Sequence, residues 1–159
     1  SQMLQLYTTQ IESYDRLIAE HTRHNPVCQK LSKLEGVGPL IALGLTVRLG
    51  NATEFNTGRD ASACIGLTPK QHSTGGKQRL GKTSKMGQRD IRTLLVSGAM
   101  AVLQAVERFD TPNNGWLKRL LTRKPRMVAA IALANKMARG LWAMMTKQED
   151  YRNPAAMMA

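Results

Sequence analysis

The first 24 residues alternate apolar and polar positions with the spacing of a helix. The apolar positions recur at intervals of three and four, as in the seam of a coiled coil, and they are Leu4, Tyr7, Ile11, Tyr14 and Ile18. This pattern predicts one amphipathic helix that ends at Asn25 and Pro26, because the residue before a proline disfavours helical backbone. Two interpretations follow from the pattern: the seam pairs with a second copy of the chain, or it packs on the helix's own domain.

Glycines interrupt the next apolar stretch. Residues 31–45 contain two apolar helical stretches around Gly36, Val37 and Gly38, which is typical of a helix-hairpin-helix. Glycine permits a tight turn, and Pro39 suits the first turn of the second helix. The backbone amides of Gly36 and Gly38 are predicted to hold a phosphate without reading base sequence. The alternative is an ordinary tight helical hairpin.

The remaining apolar residues predict four further helices. A short one is expected to be capped by Asp60 and to end at Gly66. A second short helical pattern covers 116–121, and longer ones cover about 90–106 and 126–146. Strand signals are weak throughout, so the predicted fold class is mainly α.

The patterns divide the chain into three parts. Residues 1–26 are predicted to be a coiled-coil or dimerisation helix that projects from the domain. Residues 27–152 form the predicted helical domain, with its helix-hairpin-helix-like element and a long basic loop. Residues 153–159 are expected to be a flexible tail.

The charge of the chain indicates the kind of partner that it binds. Lys and Arg total 23 against 11 Asp and Glu, a formal charge of +12. This excess favours a nucleic acid, through long-range attraction and counterion release. The alternatives are a basic surface without a specific partner and a ribosomal-type scaffold.

Cys28 and Cys64 follow no metal-ligand spacing and are typical of a reducing compartment. With no apolar run long enough for a membrane and no export signal, the sequence predicts a cytoplasmic protein.

Positive charge is concentrated in one glycine-rich segment. Residues 61–89 contain no Asp or Glu, and five glycines occur from position 66 to position 87. This pattern predicts a long cationic loop, with a short hairpin around Gly75 and Gly76 and partial disorder over residues 71–85. The residues predicted to bind nucleic acid in and beside this loop are Lys70, His72, Thr74, Gly75, Gly76, Lys77, Arg79, Lys82, Lys85, Arg89 and Arg92.

The loop also contains a candidate nucleophile. Ser73 follows His72 and precedes Thr74 and two glycines. A serine hydroxyl needs activation, and neighbouring cations stabilise the negative charge that develops on a phosphodiester under attack. Ser73 is therefore a candidate for forming a serine–DNA ester, with Thr74 and Ser84 as rival hydroxyls. The alternative is that Ser73 only hydrogen-bonds phosphate or caps a turn.

The acidic and histidine residues predict no metal site. The eleven carboxylates form no paired motif, and His21, His24 and His72 lack a zinc-like spacing. A two-metal nuclease site needs clustered carboxylates to hold its cations. No metal or other cofactor is therefore predicted within these residues.

Many motifs occur in an order that matches a known family. They are Leu34-Glu-Gly-Val-Gly-Pro39, Phe55, Gly58-Arg-Asp60, Gly66-Leu-Thr-Pro69, Gln71-His-Ser-Thr-Gly-Gly-Lys77, Ser84-Lys-Met-Gly87, Arg92-Thr-Leu-Leu95, Ala132-Leu-Ala-Asn-Lys136 and Ala138-Arg-Gly-Leu-Trp142. With these motifs the chain resembles the C-terminal, serine-recombinase domain of the DEDD insertion-sequence transposases, the bridge-RNA-guided recombinases. The resemblance covers residues 31–152, nearly the whole chain.

The resemblance implies features that composition does not show. The family joins an N-terminal RNase-H-like domain, which carries four acidic metal ligands, to a C-terminal domain with a catalytic serine. A coiled coil between them mediates assembly and would match residues 1–24. The family's serine lies in a Ser-x-Gly-Gly stretch, which here begins at Ser73. The resemblance thus implies DNA and a bridge or guide RNA as partners, a dimer or higher oligomer, and Mg²⁺ held by the acidic domain.

The sequence as a whole predicts a fragment of a bacterial DNA transposase or recombinase that supplies Ser73 for strand cleavage and exchange. Without the acidic domain, the fragment is expected to be inactive. The alternative is a non-catalytic helix-hairpin-helix module that binds nucleic acid, dimerises and only grips phosphates with its loop. A third possibility is an oligomerisation fragment alone.

Overall fold

The computed structural model describes residues 1–72, 75–77, 80–109, 115–147 and 149–150, so the predicted tail lies outside the described residues. The helices are α1 (Gln2–His24), α2 (Pro26–Leu31), α3 (Pro39–Leu49), α4 (Gly58–Ile65), α5 (Arg89–Phe109), α6 (Gly115–Leu121) and α7 (Arg126–Thr146). Two strands, β1 (Pro69–Gln71) and β2 (Leu80–Thr83), lie between α4 and α5. The predicted mainly α class is confirmed. None of the helices in the described ranges combines the length and the apolar character needed to cross a membrane.

Most of α1 extends away from the core. The seam residues that are more than half exposed are Leu4, Tyr7, Ile11 and Tyr14. Ile18 is partly buried, and the buried Thr22 donates its hydroxyl to the carbonyl oxygens of Ile18 and Pro39 at 2.8 and 3.4 Å. At its C-terminal end α1 packs on α2 and α3, whereas the described part of the domain leaves the seam from Leu4 to Tyr14 more than half exposed.

The helix pair around the two glycines differs in part from the prediction. Asn25 caps α2, because its side-chain oxygen accepts from the amides of Val27 and Cys28. α2 ends at Leu31, so residues 32–35, which were predicted to be helical, form turns and a bend instead. α3 begins as predicted, with proline in its first turn.

Two clusters of buried side chains hold the helices together. α5 packs on α7 and α3, and α4 packs on α7. The larger cluster includes Leu31, Leu45, Ile65, Leu67, Ile91, Leu95 and Leu141. The smaller cluster lies between α5, α6 and α7 and contains Val102, Leu103, Val106, Leu117, Ala129 and Ala130. Removal of this apolar surface from water is the main favourable contribution to folding.

A contact between two glycines joins the turn before α3 to the middle of α5. Gly36 has a φ of +82°, and a Cβ built on it would lie 2.8 Å from the carbonyl oxygen of Gly98 and from Val102 Cγ2. A Cβ on Gly98 would lie 2.2 Å from the carbonyl oxygen of Gly36. Packing therefore requires glycine at both positions, and the positive φ requires it again at Gly36.

The start of α4 corrects a second expectation. Thr57, not Asp60, is the N-cap, and Asp60 occupies the third helical position of a capping box with it. Gly66 ends the helix in the left-handed conformation, as predicted. Gly58 brings α4 close to α7, because a Cβ there would lie 3.3 Å from Arg139 Cα.

Replacing Gly98 with alanine tests the glycine contact. Gly98→Ala should lower the free energy of unfolding by about 3 kcal/mol, because the new methyl group meets a carbonyl oxygen. Gly140→Ala is the matched control in α7, since among the described residues its added Cβ would meet nothing within 4 Å apart from its own stretch of helix. That variant should gain roughly 0.5–1 kcal/mol from helix propensity. Urea unfolding followed by circular dichroism measures both, and similar effects of the two variants would contradict the required close approach.

Candidate nucleic-acid interface

The cationic segment forms a short hairpin between α4 and α5. β1 and β2 pair antiparallel, with Pro69 opposite Thr83 and Gln71 opposite Leu80. Gly75 and Gly76 lie between the strands with φ values of +63° and +78°. The short hairpin predicted around these two glycines is therefore present, although its strands left little signal in the sequence.

The described cations of this hairpin face solvent. The exposed residues with predicted roles are Lys70, His72, Gly75, Gly76, Lys77, Lys82, Lys85 and Arg89. Within the part of the chain that the structure describes, no carboxylate forms an ion pair with any of these cations. Their charge is therefore available to a polyanion.

The root of the hairpin is fixed to the C-terminal end of α4. The amide of Lys85 donates to the carbonyl oxygen of Gly66 at 3.3 Å, and the amide of Gln88 donates to that of Cys64 at 3.1 Å. A Cβ on Gly87 would lie 1.8 Å from the Cys64 carbonyl oxygen, and the φ of Gly87 is +103°. Glycine at position 87 therefore allows the chain to pass close to α4 before α5 begins.

Arg92 makes a further contact between α5 and the C-terminal end of α4. Its Nη1 atom donates to the carbonyl oxygen of Ile65 at 3.2 Å, and the side chain is partly buried. A cation at the C-terminal end of a helix is favourable because the helix dipole is negative there. The structure thus gives Arg92 a partner within the protein, and its contact with nucleic acid stays a prediction.

His72 lies across the hairpin from Gly81. A Cβ built on Gly81 would lie 2.9 Å from Cδ2 and 3.2 Å from Nε2 of the imidazole. The missing side chain of Gly81 therefore leaves the space that the His72 ring occupies. This contact places the ring on the hairpin immediately before position 73.

Three of the predicted site residues, Ser73, Thr74 and Arg79, lie outside the described residues. Their roles as nucleophile and as phosphate ligands stay predictions from the sequence. Their described neighbours His72, Gly75 and Lys77 are exposed.

The two glycines of the predicted helix-hairpin-helix have different surroundings. Gly36 packs on α5, which accounts for glycine there without a ligand. Gly38 is exposed at the N-cap of α3, no side chain caps that helix start, and an added Cβ would meet nothing within 4 Å. Packing therefore does not explain Gly38, and phosphate binding at both glycines stays a prediction.

Comparison with known proteins decides the family. Residues 28–113 match the profile described as the transposase IS116/IS110/IS902 family, which is more than half of the chain. The chain belongs to the IS116/IS110/IS902 transposase family.

Relatives in this family carry transposase names. The chain is 44% identical over 149 residues to a Pseudomonas aeruginosa protein named as a family 20 transposase. The aligned residues are 94% of the chain and 44% of that protein. It is 40% identical over 142 residues to the transposase for insertion sequence element IS1111A of Coxiella burnetii, covering 89% of the chain and 39% of the relative. It is 37% identical over 138 residues to the transposase for insertion sequence element IS1328 of Yersinia enterocolitica, covering 87% and 41%. The chain thus spans less than half the length of these relatives.

The described part of this family member does not fit a magnesium ion. Among the described residues, no group of three or more His, Cys, Asp or Glu side chains could hold a metal. Asp60 belongs to the capping box of α4, and Asp90 pairs with Arg48.

A cleft beside α7 is lined by residues for which the sequence predicted no role. The cleft has a volume of about 810 Å³, and its lining includes Trp116, Asn135 and Lys136. The Lys136 ammonium lies 4.5 Å from the centre of the Trp116 ring, and Ser62 donates to Asn135 Oδ1 at 2.6 Å. The signal that could have found it is the pair of polar residues Asn135 and Lys136 within the apolar pattern of α7.

Asp90 is an acidic residue at the start of α5, beside the exposed Arg89. The Ile91 amide donates to one carboxylate oxygen at 2.9 Å, and Arg48 contacts the other at 2.5 Å. The Ile91 hydrogen bond first, and then the Arg48 guanidinium, hold the pKa of Asp90 below its usual value. The charge of Asp90 is thus directed to Arg48 and to the helix start.

The pH dependence of stability tests this arrangement. Because the folded-state pKa of Asp90 is lowered, its stabilising effect is present at neutral pH and is lost as the pH falls below about 4. The free-energy difference between wild type and Asp90→Asn should therefore shrink between about pH 7 and pH 3 in urea unfolding. Arg48→Gln keeps the Ile91 hydrogen bond and should retain part of that dependence. If the free-energy difference between wild type and Asp90→Asn does not change with pH, the pKa of Asp90 is not lowered in the folded protein.

Proposed function

We propose that this chain is the DNA-binding and nucleophile-bearing part of a transposase, and that Ser73 attacks a phosphodiester of DNA. The observation that supports this most directly is the exposed hairpin, whose described cations have no carboxylate partner in the described ranges. The transposase names of the relatives support the same activity. The hairpin carries the hydroxyl, and α4 and α5 anchor it.

The proposed reaction is a transesterification. The Ser73 oxygen bonds to phosphorus while one phosphorus–oxygen bond to a deoxyribose breaks. The hydroxyl proton is transferred to the departing sugar oxygen, which leaves as an alcohol. One phosphodiester replaces another, so the step needs no oxidant or reductant. A sugar hydroxyl of a second strand then attacks the serine ester by the reverse route and joins to the phosphate, which gives strand exchange.

The cations of the hairpin are proposed to stabilise the charge of that transition state. Lys70 and His72 precede Ser73 in the sequence, and Lys77, Arg79, Lys82 and Lys85 follow it. Fixed positive charge beside the reacting phosphate favours the additional negative charge that develops on its oxygens. The glycines after Ser73 remove side chains that would hold the backbone away from DNA.

Other parts of the complete transposase supply what these residues lack. We propose that Mg²⁺ is held by carboxylates outside this segment, which agrees with the poor fit of the described residues to a metal ion. In the same way, the bridge or guide RNA implied by the resemblance is proposed as a partner of the complete protein. The isolated segment is then expected to bind DNA and to leave it uncut.

We also propose that α1 pairs with α1 of a second copy. Exchange between two duplexes requires at least two nucleophiles, and one chain offers a single Ser73. The exposed seam of α1 repeats at coiled-coil intervals over a helix of 23 residues, about 35 Å long. A second, identical seam would cover side chains that otherwise face water.

Ser73→Ala in the complete transposase tests the nucleophile. Strand joining should fall by roughly 10³-fold or more, because the attacking oxygen is gone. The denaturation-resistant protein–DNA adduct should disappear, whereas DNA affinity should change by less than about twofold. Ser84→Ala is the matched control, since it removes the rival hydroxyl at the root of the hairpin, and it should keep the adduct.

The same experiment distinguishes the non-catalytic alternative. If Ser73→Ala leaves recombination intact, the nucleophile assignment is wrong. If no adduct forms in the wild-type protein and neutralising Lys77, Arg79 and Lys82 only weakens binding, the segment is a nucleic-acid-binding module.

Light scattering tests the pairing of α1. Tyr7→Asp combined with Ile11→Asp adds two charges to exposed seam positions that lie away from the core. The molar mass should fall to that of a single chain, because like charges would face each other across the seam. Thr9→Asp combined with Ser13→Asp adds the same charge away from the seam, and its molar mass should stay that of the dimer. Equal masses for all three proteins would contradict the pairing.

A further inference from the structure

A second acid-free segment lies outside the hairpin. Residues 115–147, which form α6, the following turn and α7, contain eight Lys and Arg without an Asp or Glu. Five of these cations fall within residues 118–126. The proposed reaction at the hairpin makes no use of them.

Packing of α6 directs these cations outward. The apolar side chains of α6 and its end, Leu117, Leu120 and Leu121, lie in or against the smaller buried cluster. The opposite side of the helix and the turn after it carry Arg119, Arg123 and Lys124, and all three are exposed. The apolar contacts of α6 therefore hold three cations together on one solvent-facing surface.

Three of the exposed cations at the end of α6 have no carboxylate partner in the described part of the chain. Arg126 pairs with Glu107 at 3.3 Å, and Arg123 donates to the carbonyl oxygen of Arg119 at 3.3 Å. Across the described ranges, no carboxylate forms an ion pair with Arg119, Arg123 or Lys124. Clustered like charges repel one another, and a bound polyanion relieves that repulsion.

A role limited to capping α6 does not account for three cations. Basic residues are favourable at the C-terminal end of a helix, where carbonyl oxygens lack partners. At this end the Leu120 carbonyl oxygen already accepts from the amides of Arg123 and Lys124 at 3.0 and 2.9 Å. Those side chains are thus not needed to satisfy the Leu120 carbonyl.

The surface formed by Arg119, Arg123 and Lys124, here called the α6 surface, and the hairpin lie near opposite ends of α5. The hairpin root joins α4 just before α5 begins, and Arg92 lies in the first turns of α5. The smaller buried cluster, which includes Leu117 of α6, contains Val102 and Val106 near the end of α5. α5 has 21 residues and is about 30 Å long. Duplex DNA rises about 3.4 Å per base pair, so this distance corresponds to roughly nine base pairs.

We propose that Arg119, Arg123 and Lys124 form a second DNA-binding surface, which contacts backbone phosphates of duplex DNA away from the phosphodiester under attack at the hairpin. This inference rests on the DNA binding proposed above and extends it to a part of the chain that carries no chemistry. Phosphate contacts of this kind position a protein on DNA without reading its sequence.

Salt-dependent binding to duplex DNA tests the second surface. The probe is a fluorescein-labelled duplex of about 20 base pairs, which is long enough to reach both ends of α5, and the readout is anisotropy over a salt series. R119Q/R123Q/K124Q should lower the affinity of the chain by roughly tenfold or more. The slope of log K against log salt should become shallower by about two to three, since each lost phosphate contact removes about 0.9.

Two further variants complete the test. R16Q/R23Q/K30Q removes the same charge from α1 and α2, and it should change affinity and slope much less than the α6 variant. R119K/R123K/K124R keeps the charge and should restore binding, which separates loss of charge from loss of fold. Equal losses in the α6 and α1–α2 variants, or unchanged binding by the α6 variant, overturn the second surface. If the wild-type chain binds no duplex at any salt concentration, the proposed DNA binding itself fails.

Discussion

The position of the cationic hairpin depends on the close contact between the C-terminal end of α4 and the segment that leads into α5. The backbone at Gly87 passes against the Cys64 carbonyl oxygen at a distance that leaves no space for a Cβ. Arg92 then connects α5 to the carbonyl oxygen of Ile65, the last residue of α4. Because these contacts are made mostly by backbone atoms and one partly buried arginine, the lysines of the hairpin are left for a ligand. The hairpin is thus anchored at its root and charged along its exposed surface.

The distribution of charge follows from how the core is built. Small and aliphatic residues fill the space between α3, α5 and α7, and aromatic residues are only 4% of the chain. The basic residues therefore lie on segments that project from or cover the core. Asp90 is the first acidic residue after the hairpin, and Arg48 and the Ile91 amide occupy its carboxylate. It consequently does little to offset the positive charge of the hairpin.

Much of the fold could be predicted because long periodic helices carry their own signal. The predicted bounds of α7 match the structure, and α1 ends where Asn25 and Pro26 indicated. Contacts between distant residues could not be predicted from periodicity. Gly36 looked like part of a phosphate site, but its nearest constraint is Gly98, which lies on another helix. The strands of the hairpin gave weak signals since they are short and exposed, whereas the candidate nucleophile followed from local composition and from the family resemblance.

A hairpin that delivers a hydroxyl to DNA must meet two opposing requirements. Its tip must fit against a sugar–phosphate backbone, which glycine permits because it adds no side chain and adopts positive φ. The hydroxyl must also be held in a narrow range of positions, since misplacement by about 1 Å can cost 10²-fold in rate. Two features of the described residues address the second requirement: the root is hydrogen-bonded to α4, and the His72 ring rests in the space left by Gly81. In the proposed function, glycines between the strands serve the approach to DNA, and glycines at the root allow close packing. This division would explain why glycine recurs through a segment that must be both adaptable and anchored.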